Sequence, residues 1–282
     1  MNYREDLTKF CENHQYQNIN IENAEFRYLL CGSGSQTLVF LVGGTGVSEM
    51  YMNYITALEK DYRILTFDYP MEYTSLKELC EGISLLLTKL SIPKAIFVGS
   101  SLGGYVAQIF AAAHHEQTEG ICLFSTAGLD EQTITNLKKS HKYVGVMFAL
   151  MKIIPYNWLK PFWIKVSMKH VSDASDEEYR YLDDMFRFIF QDYTKEFDMH
   201  MTKLMIDISN QHPYTEKDFR YLDGRVLLIF PEKDASFTPE MQNDLKKIMT
   251  NPVVIDNVKG GHVATMIKVE QYVDAIRSFV KE

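Results

Sequence analysis

Three polar residues far apart in the chain could together make a hydroxyl reactive toward a carbonyl carbon. Ser101 is the centre of Gly99-Ser-Ser-Leu-Gly103, which follows the apolar, strand-like run Lys94–Val98 and precedes the helix-like run Gly104–Ala113. A sharp turn between strand and helix would hold the Ser101 hydroxyl above a sheet, at the positive end of a helix. Gly99 and Gly103 suit such a turn because a Cβ at either position would meet the neighbouring strand or helix. Serine is a weak nucleophile at neutral pH and needs a base within hydrogen-bond reach. His262, in Lys259-Gly-Gly-His262 after the last strand-like run, is the histidine whose place in the chain suits that task. His114 and His115 end the helix that Ser101 begins, more than three turns away. His14 precedes the sheet, and His141, His170, His200 and His212 read as surface or cap residues of a later helical segment.

A general-base histidine needs a carboxylate to fix its tautomer and stabilise its imidazolium. Asp234 follows the apolar run Arg225–Phe230 and a short turn, so it projects from the sheet edge that carries Ser101 and His262. Glu232 is its close neighbour, and Asp130, after the sixth strand, is the rival position. The oxyanion of an acyl-transfer step needs two backbone N–H donors. Leu102, next to the nucleophile, supplies one; the small-residue loop Val42-Gly-Gly-Thr-Gly46 supplies the other, from Gly44 or, next, Thr45. That loop is not followed by Gly-x-Gly-x-x-Gly with a ribose-binding acid or by Gly-Lys-Ser/Thr, which argues against a nucleotide site.

The elements that must position these residues follow from periodicity. Strand-like segments cover Tyr16–Ile21, Glu25–Cys31 and Thr37–Val42, with Gly32-Ser-Gly34 suggesting a hairpin between the last two. From there strands and helices alternate, which predicts an α/β fold: a mainly parallel sheet with helices on both faces. Between about Asp130 and Asp223 the alternation stops, so a helical insertion is expected between the sixth and seventh strands. The expected division is a core of residues 1–129 and 224–282 and a helical cap of 130–223. One last helix is expected from about Ala264 to Val280.

The first part of the insertion is basic, with Lys138, Lys139, Lys142, Lys152, Lys160, Lys165 and Lys169; the second is acidic, with Asp173, Asp176, Glu177, Glu178, Asp183 and Asp184. The halves pair with one another or with the core, or the basic half meets acidic lipid or substrate. Phe148, Met151, Trp158, Phe162, Trp163 and Met168 either line an apolar acyl pocket or form the cap's own core. Lysines beside these aromatics also permit peripheral docking on a membrane surface.

The chain has 282 residues, 46% hydrophobic and 23% charged, enough for one large domain with a sizeable core. Its net charge of −8 argues against a nucleic-acid partner. The four cysteines, Cys11, Cys31, Cys80 and Cys122, show no metal-binding spacing and no disulfide framework. A polar start without an apolar signal core makes a reducing cytoplasm the expected location. The chemistry drawn above needs no cofactor or metal.

Together, Gly99–Gly104 and the chain order Ser101, Asp234, His262 resemble the α/β-hydrolase superfamily. The resemblance implies an eight-stranded, mostly parallel sheet with a helical cap over a serine–histidine–aspartate site. Many relatives carry His-Gly after the third strand where this chain has Val42-Gly43. Gly43–Glu49, Phe67-Asp-Tyr-Pro70 and Gly99–Gly104 look like the maspardin-like branch. Some members of that branch look degenerate at the catalytic histidine; His262 is present here. The implied activity is hydrolysis of a carboxylic ester on a small-molecule acyl substrate. The same three residues serve a thioesterase, amidase or peptidase, lactonase or carbon–carbon hydrolase equally well. A non-catalytic binding protein that keeps the fold is the rival of another class.

Overall fold

In the computed structural model, residues 2–281 are described, apart from the side chains of 140–144 and 147. The chain begins with α1 (Tyr3–Asn13), β1 (Gln17–Ile21), β2 (Ala24–Cys31) and β3 (Thr37–Leu41). It continues through α2 (Met52–Leu58), β4 (Arg63–Phe67), α3 (Leu76–Lys89), β5 (Ala95–Ser100), α4 (Leu102–Ala113) and β6 (Thr118–Phe124). Five helices follow: α5 (Glu131–Ile153), α6 (Tyr156–Met168), α7 (Asp176–Asp192), α8 (Lys195–Asp207) and α9 (Glu216–Phe219). The chain closes with β7 (Val226–Pro231), α10 (Pro239–Ile248), β8 (Val253–Val258), α11 (Ala264–Ile267) and α12 (Val269–Lys281).

The eight strands form one sheet in the order β1-β2-β4-β3-β5-β6-β7-β8. Pairing from β4 through β8 is parallel; β2 runs antiparallel to both β1 and β4. The interior strands β3 and β7 are buried at every residue, because helices cover both faces of the sheet and leave no face for water. Edge strand β8 exposes Val253 and alternates less cleanly. Phe97 of β5 and Phe110 of α4 pack with ring centroids 4.4 Å apart beneath the turn that carries Ser101. Burying one such side chain is worth about 1.5–3 kcal/mol. A capping box of Ser75 and Glu78 starts α3, satisfying donors that the first helical turn leaves free.

Two expectations need correction. The hairpin joins β1 to β2, not β2 to β3, since β4 lies between β2 and β3. Gly32 and Gly34 instead let the chain cross the end of β4: a Cβ on either would come within 2.1 Å of the carbonyl oxygens of Tyr62 and Asp61 respectively. The final helix is also two helices, because Lys268 stands between α11 and α12.

The helices from α5 to α9 lie in the chain between β6 and β7. Three acids of their acidic part reach beyond the segment rather than to its basic part. Asp173 bonds Lys233 at 2.8 Å, Glu178 bonds Lys268 at 2.6 Å and Asp184 meets Arg4 at 3.3 Å, all outside the segment. Among the described residues, Lys138, Lys139, Lys152, Lys160, Lys165 and Lys169 form no ion pair with a carboxylate. Nor, among the described residues, is any helix long and apolar enough to cross a membrane.

Candidate active site

Ser101 stands between β5 and α4 with φ 54° and ψ −118°, a conformation that side chains rarely adopt. Surrounding contacts hold it there. Its N–H donates to the Phe124 carbonyl at 3.1 Å, and its carbonyl accepts from Thr126 Oγ1 at 3.0 Å. The turn is tight enough that a Cβ on Gly99 would lie 2.2 Å from the Gly103 oxygen, and one on Gly103 2.1 Å from the Leu41 oxygen. Leu102 is the first residue of α4, so its N–H lies outside the intrahelical ladder. The loop after β3 passes beside the nucleophile: a Cβ on Gly43 would stand 3.9 Å from Ser101 Cβ. Gly44 and Thr45 continue that loop along the same cavity wall as Ser101.

Asp234 sits after β7 with its side chain fully buried. One carboxylate oxygen accepts the N–H groups of Ser236 at 2.8 Å and Phe237 at 3.3 Å. The other lies 3.1 Å from His262 Nδ1. Backbone bonds tie the two loops together, from Glu232 N–H to the Val258 carbonyl and from Lys233 N–H to the Gly260 carbonyl. With its Nδ1 engaged in this way, His262 would present Nε2 as the base. Glu232 is exposed. Asp130 is committed elsewhere, capping α5 through the N–H groups of Gln132 and Thr133.

Ser101 and His262 line one cavity of about 260 Å³. Among the described residues no hydrogen bond links the Ser101 hydroxyl to the His262 ring. Such bonds are commonly long in an unliganded site and tighten around substrate. His14, by contrast, has both ring nitrogens engaged, at 2.9 Å from the Phe10 carbonyl and 2.7 Å from Glu59. Its neighbourhood with Cys31 and Glu59 brings three potential metal-ligand atoms within 4.8 Å of one another, away from the cavity.

Of the six aromatic and methionine residues expected at an acyl pocket, Trp163 lines the cavity. Trp158 is 73% exposed and Phe162 45%, so both point to solvent. Met151 is buried away from the cavity, Met168 packs against the core, and Phe148 lies under Lys152. The reason is angular: Trp158 and Trp163 are five residues apart on α6, about 140° around the helix. The apolar wall comes instead from the acidic part of the segment, with Phe186, Phe190 and Tyr193. Phe186 and Phe190 sit four residues apart on α7, a spacing visible in the sequence.

His170 was missed. It lines the cavity with its ring centroid 5.7 Å from that of His262, and its Nδ1 lies 3.3 Å from Ser236 Oγ. Burial, then the neighbouring His262, hold its pKa below 6.5, against a smaller upward pull from Asp234. His200 is buried on α8, His212 bonds the Pro213 carbonyl at 2.6 Å, and the side chain of His141 lies outside the described residues.

A strained serine at a strand-to-helix turn, on an eight-stranded sheet with one antiparallel margin, defines the α/β-hydrolase fold, which this chain adopts. Within that class its sequence is similar to maspardin. The Danio rerio protein is 30% identical over 126 residues, 44% of this chain and 40% of the maspardin chain. The match thus spans less than half of that relative's length. A sequence model of the Ndr family matches residues 59–170. Among solved structures, the enol-lactonase from Burkholderia xenovorans LB400 superposes with a TM-score of 0.72 at 18% identity, covering 94% of this chain and 100% of its own. A thermophilic esterase from Thermogutta terrifontis gives 0.72 at 16% identity, with 95% and 98% covered.

Proposed function

We propose that the chain is a serine hydrolase that cleaves a carboxylic ester or related acyl bond through an acyl-enzyme. The observation that carries this reading is the Asp234–His262 pair on the rim of the cavity that also holds the strained Ser101. In the proposed reaction Ser101 Oγ attacks the carbonyl carbon as His262 takes its proton. Asp234 stabilises the imidazolium, and the N–H groups of Leu102 and Gly44 (or Thr45) hold the oxyanion. His262 returns the proton to the leaving group, then activates water, which releases the acyl group and restores Ser101. The helices of residues 130–223 serve as the cap that bounds the acyl pocket. A cavity of about 260 Å³, at the small end of ligand sites of roughly 300–1,000 Å³, favours a short or medium acyl group. Replacing Ser101 with Ala should abolish p-nitrophenyl butyrate hydrolysis; turnover within about tenfold of wild type would sink the reading.

A second feature favours contact with a membrane surface. Val146, Leu150, Ile153, Trp158 and Phe162 are all exposed on α5 and α6, beside lysines that form no ion pair with a carboxylate among the described residues. Apolar side chains flanked by lysine suit the boundary of an anionic bilayer. The protein should float with vesicles containing phosphatidylserine and lose that association when Ile153 and Trp158 become Ser. Absence of co-flotation would remove the membrane from the account.

A further inference from the structure

The cavity wall formed by α8 holds a polar group that the hydrolytic steps do not use. Asp198, on the first turns of α8, is 8% exposed and lines the cavity. One of its oxygens accepts Trp163 Nε1–H at 2.8 Å. The other has no hydrogen-bond partner among the described residues. Tyr193, 7% exposed, lines the same cavity, and its hydroxyl is sealed from solvent without a partner among the described residues. Burial pushes the Asp198 carboxyl above its usual range, opposed only by the Trp163 bond. Among the described residues, no lysine or arginine forms an ion pair with it. Burying a half-satisfied carboxylate is unfavourable, and the start of α8 relieves only part of that penalty.

We propose that Asp198 and the Tyr193 hydroxyl form a subsite for an ammonium group, so that the substrate is an acyl compound whose acyl chain carries a primary amine. An ammonium offers three donors and a positive charge. It would complete the free Asp198 oxygen, neutralise the buried acid and, with a small shift of the Tyr193 side chain that exposes its hydroxyl, donate to that hydroxyl. The cavity adds the aromatic residues Trp163, Phe186, Phe190 and Tyr193, whose ring faces attract cations. An all-hydrocarbon acyl chain would leave both polar groups unpaired, which a discriminating site penalises. Assigning the subsite to the acyl side rests on the serine-hydrolase reading; the ammonium preference does not.

The test uses binding, which needs no turnover. The full chain is titrated by calorimetry with n-pentylammonium and with 1-pentanol at pH 7.5. Wild type should bind the ammonium at least about tenfold more tightly, as expected of a desolvated charge pair. Asp198→Asn, which keeps the shape and an acceptor for Trp163, should lose that preference. Tyr193→Phe should weaken ammonium binding without affecting the alcohol, and it serves should Asp198→Asn fail to fold. Equal affinity of wild type for the two ligands would overturn the subsite, as would an unchanged preference in folded Asp198→Asn. An inert protein that still prefers the ammonium would refute the hydrolase reading alone, and ester turnover without the preference would refute the subsite alone.

Discussion

Asp234 and Asp130, rivals in the sequence, have different surroundings in the structure. Both follow a strand at the edge that carries the site, and nothing in their local composition separates them. The structure does, because Asp234 faces His262 while Asp130 spends its oxygens on the start of α5. Their substitutions should therefore fail differently. Asp234→Asn should lower kcat by about 10³–10⁴-fold with KM little changed, because the imidazolium loses its partner and the tautomer is no longer enforced. Asp130→Ala should leave kcat near wild type and cost about 0.5–2 kcal/mol of stability, as a lost N-cap does. Steady-state kinetics and chemical denaturation of both variants decide the matter; a large kcat loss in Asp130→Ala would reverse the assignment. Ser101 was legible because its chemistry demands a local pattern of small residues. His170 was not, since its approach to His262 is made in space and leaves no mark in spacing.

The elements show how that approach is fixed. The loop carrying His262 rests on the backbone joining α6 to α7: a Cβ on Gly261 would lie 2.5 Å from the His170 carbonyl oxygen and 2.9 Å from Ser172 Oγ. Lys233 reinforces the contact by bonding Asp173. Gly261→Ala should therefore push the two loops apart, with about 1–3 kcal/mol lost to overpacking and kcat reduced at least about tenfold through displaced His262. Unaltered kinetics in that variant would show that the contact does not position the base. Alternation of apolar strands and helices made the central sheet readable, because buried parallel strands are apolar throughout. The pairing of β2 was not readable, because a two-glycine loop fits a hairpin as well as a crossing over β4. The share of α7 in the pocket wall was not readable for a similar reason. Aromatic content marked α6, whereas which face turns inward is set by packing, and the apolar face of α7 won.

For the molecule as a whole, pH should act through buried and half-buried histidines as well as through the site. Burial is the leading cause of a pKa below 6.5 at His114, His170 and His200. In the unfolded chain these groups take up protons near pH 6.5, whereas in the folded chain they resist protonation. The unfolded state then binds more protons, so stability rises with pH in this window. It is fully present above about pH 6.5 and is lost as pH falls below it. The melting temperature should be lower at pH 5.5 than at pH 7.5, and His200→Gln should shrink the difference; an identical difference in that variant would contradict the cause. In the proposed mechanism, fold, sheet order and cavity all serve one event, the attack of a serine held in a strained turn. It is tested most directly by exposing the protein to a fluorophosphonate and mapping the adduct by peptide mass spectrometry. A stoichiometric adduct should form on Ser101, disappear in Ser101→Ala and form far more slowly in His262→Ala. An unlabelled protein, or an adduct on another residue that persists in Ser101→Ala, would contradict it.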